Sequence, residues 1–102
     1  MTDLVKLLLR WDVEPGKENE YSEFIVSEFI PRMNRLGVSD LQFWYTSFGE
    51  CEQIQVEMIT QSKEQMDNIM RSDEWESLQS QLGDMVANYS QKIIKATGGI
   101  QL

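Results

Sequence analysis

The chain has 102 residues, 17 acidic against 9 basic side chains for a net charge of −8, and no histidine. Clustered Lys and Arg that release counterions are what bind phosphate backbones and anionic membranes, so nucleic acid and membrane surfaces are excluded as expected partners. The length allows one domain, residues 1–102, that buries about 65% of its unfolded surface, and a core that thin leaves part of the load of large side chains for a partner or a cavity.

Residues 4–12 alternate as a strand, with Val5, Leu7, Leu9 and Trp11 on one face and Leu4, Lys6, Leu8 and Arg10 on the other. Pro15-Gly16 signals a turn. From Lys17 to Leu36 the apolar residues Tyr21, Phe24, Ile25, Phe29, Met33 and Leu36 recur at helical spacing, and Gly37 follows where a left-handed cap would end the helix. Pro31 has no N–H for the Ser27 carbonyl, which predicts a kink or break near residues 27–31. Residues 39–48 and 52–60 each alternate with period two and read as a hairpin joined by Gly49 to Gln53.

Two helix starts follow. Ser62 with Gln65 forms a capping box for a helix ending near Arg71, and Ser72-Asp73-Glu74 opens another that carries Trp75, Leu78, Leu82 and Met85 to about Ala87. Residues 89–97 read as the last strand, and Gly98-Gly99 opens a flexible tail. The order is βαββαβ, an α+β split-βαβ arrangement whose four-stranded antiparallel sheet carries helices on one face only. The other face needs cover.

No apolar run reaches the roughly 20 residues of a membrane span, and the N-terminus lacks signal-peptide order, so the chain is expected in the cytoplasm. The lone Cys51 fits a reducing compartment. Without histidine there is no imidazole base and no His-ligated haem, zinc or iron, and no glycine-rich phosphate cradle occurs. Carboxylates gather at Glu14, Glu18, Glu20 and Glu23 and at Asp73, Glu74 and Glu76, but neither set follows the calcium-loop pattern. No cofactor and no metal are expected. The set that fits a small-molecule site is Trp11, Tyr45 and Trp75, with Asn68 or Arg10 as polar handle, around one cavity on the helix side of the sheet. Structural roles for the same residues are core for Trp11 and Trp75, interface for Tyr45, and a solvated helix position for Asn68.

The Pro15-Gly16-Lys17 start, the Gly49 hairpin and the paired helix starts through Ser72-Asp73-Glu74-Trp75 resemble the dimeric α/β barrel family of ferredoxin-like domains, over nearly the whole chain from Leu4 to Thr97. That family includes antibiotic-biosynthesis monooxygenases, stress-responsive barrel proteins and NIPSNAP-like proteins. Among its cofactor-independent monooxygenases a pocket holds an electron-rich substrate that itself activates oxygen. Many of those members carry two histidines where this chain has Ile69 and Glu74, which moves it toward the NIPSNAP-like branch.

Two functions are therefore compared. One is a homodimer binding an apolar or aromatic metabolite between sheet and helices, with cofactor-free oxidation or isomerisation as its catalytic variant. The other is a non-catalytic assembly module with a filled interior. Both expect a homodimer through the uncovered sheet face, where Leu4, Lys6, Leu8 and Arg10 lie beside Trp44, Phe48, Gln53, Gln55 and Glu57, and Glu57 is placed to pair with Lys6 or Arg10.

Overall fold

Strand β1, Val5–Val13, is the spine of the molecule, and its alternation sets the two faces of the sheet. The computed structural model describes residues 4–48 and 51–95. After β1 come α1 (Glu18–Phe24), a π-helical segment (Ile25–Phe29), α2 (Ile30–Arg35), β2 (Ser39–Phe48), β3 (Cys51–Thr60), α3 (Lys63–Met70), α4 (Asp73–Gly83) and β4 (Val86–Lys95). The strands form one antiparallel sheet in the order β2-β3-β1-β4. This is the expected α+β arrangement.

The first helical stretch shows how Pro31 is accommodated. Its missing N–H removes the regular bond to the Ser27 carbonyl; just before it the Ile30 N–H reaches back to the Ile25 carbonyl, five residues away, and α2 restarts with the proline in its first turn. The predicted break is thus a π-segment, and Tyr21, Phe24, Ile25, Phe29 and Met33 all stay buried across it. The stretch closes as a Schellman motif, with Val38 N–H on the Met33 carbonyl at 3.4 Å, Gly37 N–H on the Asn34 carbonyl at 3.1 Å, and Gly37 at φ 101°.

Three boundaries differ from expectation. The fourth helix ends at Gly83, not near Ala87, because Asp84 and Met85 N–H groups turn back onto the Gln81 and Leu82 carbonyls while the Met85 carbonyl accepts from Glu14. Met85 and Val86, adjacent in sequence, then both fill the end of the core, so β4 starts at Val86 rather than 89. Residues 96–97 and the expected tail lie outside the described residues. In the hairpin, pairing continues through Phe48↔Cys51. The connection is therefore Gly49-Glu50, not the longer Gly49 to Gln53, and it too lies outside the described residues.

The core sits between the sheet and the helices. Leu7, Leu9, Trp11, Val56 and Met58 from the strands meet Phe29, Met33, Met66, Leu78 and Leu82 from the helices, all essentially without solvent contact. Each such side chain stabilises by about 1.5–3 kcal/mol relative to exposure. A partly buried ion-pair network, Arg32 with Glu74 and with Glu28 at 3.1 Å, ties α2 to α4. Hydrogen bonding to Glu74 leads in raising the Arg32 pKa above its ordinary value, against a desolvation penalty. Among the described residues no helix is long and apolar enough to cross a membrane.

Candidate functional site

On the helix side, Trp11 is enclosed by aromatic rings. Tyr21 and Phe29 meet it edge-on with centroids 6.3 and 6.2 Å away, and Tyr89 lies nearly parallel at 6.2 Å. Its indole N–H donates to the Tyr21 hydroxyl at 3.0 Å, satisfying a group that could not otherwise be buried. Tyr89 reaches this stack because β4 bulges. Arg10 pairs with Ser90 but Asp12 with Ala87, so two residues, Asn88 and Tyr89, face Trp11 alone, and Asn88 absorbs the extra residue at φ 55°. The Tyr89 hydroxyl donates to Gln91 Oε1 at 2.7 Å and accepts from Gln79 Nε2 at 3.2 Å. Burial pushes the Tyr89 pKa up, and the hydrogen bond from Gln79 opposes it.

Of the residues that the sequence pattern groups around one cavity, Trp11 and Trp75 share the buried core, while Tyr45, Asn68 and Arg10 lie outside it. Trp11 and Trp75 are both buried, and Trp11 has the rings of Tyr21, Phe29 and Tyr89 where a ligand would have to lie. Tyr45 is 60% exposed on the edge strand β2. Asn68 is exposed on α3, its side-chain oxygen accepting from Arg71 at 3.0 Å. Arg10 is on the far side of the sheet from Trp11, as strand alternation requires of neighbours.

That far side is the uncovered face. Lys6, Leu8 and Arg10 of β1 stand directly opposite Ile59, Glu57 and Gln55 of β3 and Ile94, Lys92 and Ser90 of β4. Trp44 extends the face across β2 and is 45% exposed. Lys6 pairs with Glu57 at 3.0 Å, while Arg10 donates to Gln55 at 3.0 Å. A groove of about 450 Å³ opens here, lined by Leu8, Arg10, Gln55, Ser90 and Lys92 among others. Gln55 is on the face expected from sequence, whereas Ser90 and Lys92 were not singled out; their only signal is parity with Leu8 and Arg10, which becomes usable once the strand register is known.

A second groove, about 350 Å³, lies where the first helical stretch meets the end of α4 and is lined by Glu20, Glu23, Glu28 and Asp84 among others. Among the described residues no group of three His, Cys, Asp or Glu is placed to hold a metal ion.

The sequence matches no protein-family model and no curated protein. Solved structures do match. A NIPSNAP family protein from Agrobacterium tumefaciens is 16% identical with a TM-score of 0.69, covering 97% of this chain and 90% of that one. A candidate antibiotic biosynthesis monooxygenase from Caulobacter crescentus is 14% identical with a TM-score of 0.74, over 93% and 91% of the two chains. A variant of SnoaB, a cofactor-independent oxygenase from Streptomyces nogalater, is 9% identical with a TM-score of 0.76, over 98% and 99%. From end to end, then, this chain has the ferredoxin-like fold that NIPSNAP and antibiotic biosynthesis monooxygenase-like proteins share.

Proposed function

We propose that the chain is one protomer of a homodimeric binding domain, assembled by packing two uncovered sheet faces against each other. The observation that carries this reading is the composition of that face: Leu8, Ile59 and Ile94 are only half-buried, Trp44 is exposed, and Glu57, opposite Leu8, is already paired with Lys6. Left in water, such a surface is a liability; packed about 10 Å from its symmetry mate it becomes a second core with its ion pair satisfied. The rings packed around Trp11 favour assembly over binding or catalysis in the cavity first expected between sheet and helices, and leave the sheet face as the place for a ligand. A cytoplasmic setting belongs to the same proposal, since one cysteine in 102 residues fits a reducing compartment. Sedimentation equilibrium tests the assembly: twice 11.9 kDa supports it, and a monomer at high concentration refutes it.

A second reading, cofactor-free oxygenation of an electron-rich aromatic substrate, draws on the Trp11–Tyr21–Tyr89 stack and on the end-to-end likeness to the SnoaB variant. It requires the stack to open and admit a flat ring. Oxygen uptake with an electron-rich polycyclic phenol, measured for the wild type and for Tyr89→Ala, decides it: no uptake by either removes this reading.

A further inference from the structure

We propose that the groove on the uncovered sheet face is a binding site for a small amphipathic carboxylate, whose charged end meets Arg10 and Lys92 and whose apolar body lies against Leu8. It deepens the reading of a homodimeric binding domain by placing the ligand on the sheet face, and in the dimer the partner sheet would roof the groove. The sign of the site is the first argument. In a chain of net charge −8, the charged side chains lining this groove are both cations. Among the described residues neither has a carboxylate within ion-pair distance, although Lys6 on the same strand face does.

Geometry is the second argument. Arg10 stands opposite Ser90 and Leu8 opposite Lys92 in the β1–β4 ladder. The two cations are therefore diagonal neighbours on adjacent strands, about 7–8 Å apart at the backbone, within reach of one carboxylate between them. The guanidinium is steered rather than free. Its Nη2 donates to Gln55 Oε1 at 3.0 Å, and the Gln55 amide nitrogen donates in turn to Glu57 Oε2 at 3.2 Å. That arrangement fixes the side chain of Gln55 and leaves further N–H donors of Arg10 for a ligand, the fork geometry that suits a carboxylate. Size is the third. About 450 Å³ lies within the range of small-molecule pockets and is too small for a folded partner, while the apolar wall at Leu8 argues against a bare inorganic anion.

The test titrates the full chain with 2-naphthoate and with octanoate, using 2-naphthamide as the uncharged counterpart, by calorimetry at low salt. At least one carboxylate should bind saturably, the amide should not, and Arg10→Gln and Lys92→Gln should each weaken binding tenfold or more. Both side chains are exposed in the single protomer and lie outside the helix-side core, so both variants should keep the wild-type circular dichroism. No saturable binding of either carboxylate, equal binding of the amide, or unchanged affinity in both variants overturns the proposal. Sedimentation of the same samples separates the two ideas: a dimer that binds neither acid removes the site alone, and a monomer that binds keeps the site and removes the dimer.

Discussion

One hydroxyl joins two helices at Ser72. Its oxygen accepts the Trp75 N–H at 3.1 Å, capping α4, while its proton goes to the Ile69 carbonyl at 2.6 Å, closing α3. Ser72→Ala removes both bonds and should destabilise the chain by about 1–2 kcal/mol, read as a lower urea midpoint at unchanged slope. Tyr89 makes a different prediction, because its burial raises its pKa above the ordinary value of 10.0. The folded chain holds that proton more tightly than the unfolded chain does. Its stabilising contribution is complete below the unfolded value and is lost as pH rises through the folded one, so stability should fall with alkalinity from about pH 10 upward. Tyrosinate absorbance should show a late-titrating component that shrinks in Tyr89→Phe, and that variant should lose stability less steeply over the same pH window. An unchanged titration in Tyr89→Phe would reject this assignment.

At the scale of elements, the asymmetry between what is legible in the sequence and what is not has a physical basis. Period-two runs around Leu7, Phe43 and Val56 and the serine caps before α3 and α4 are local signals, and they place three strands and two helices closely. Met85 and Val86 defeat the same logic, since an apolar residue at helical spacing from Leu82 also serves as the lead-in to a strand. The candidate site was hidden for a related reason. Aromatic type points to a cavity at Trp11 and Trp75, yet whether large rings line a void or fill it depends on tertiary packing, and around Trp11 the rings of Phe29, Tyr21 and Tyr89 fill the space. The device that admits Tyr89, the β4 bulge, carries no sequence mark beyond Asn88, a residue that tolerates positive φ. Asn88 also donates to Asp12 Oδ2 at 2.8 Å, fastening the bulge to β1. Asn88→Gly should therefore be mild and Asn88→Val should cost about 1–3 kcal/mol, because a β-branched side chain resists that backbone conformation. Equal thermal midpoints for the two variants would mean that the bulge is not held by Asn88.

For the molecule as a whole the controlling fact is that a four-stranded sheet has helices on only one face. In the proposed dimer, burying Leu8, Ile59, Ile94 and Trp44 between two copies would remove apolar surface from water twice, once per protomer, because an isologous contact repeats every residue. The same doubling makes the interface sensitive to a single charge. Leu8 lies between Glu57 and Lys92 in the registers of β3 and β4, near the middle of the face. Leu8→Glu loses about 1.5–3 kcal/mol of apolar burial in each copy, so the dimer should weaken by at least about 3 kcal/mol, or more than a hundredfold in dissociation constant. Leu8→Met, of similar volume and polarity, should sediment as the wild type does. Because Leu8 lies outside the helix-side core, Leu8→Glu should yield a folded monomer with the wild-type far-ultraviolet spectrum rather than an unfolded chain. A Leu8→Glu protein that still sediments as a dimer would move the interface to another surface, for which the edge strand β2 with Tyr45 would be the next position to substitute.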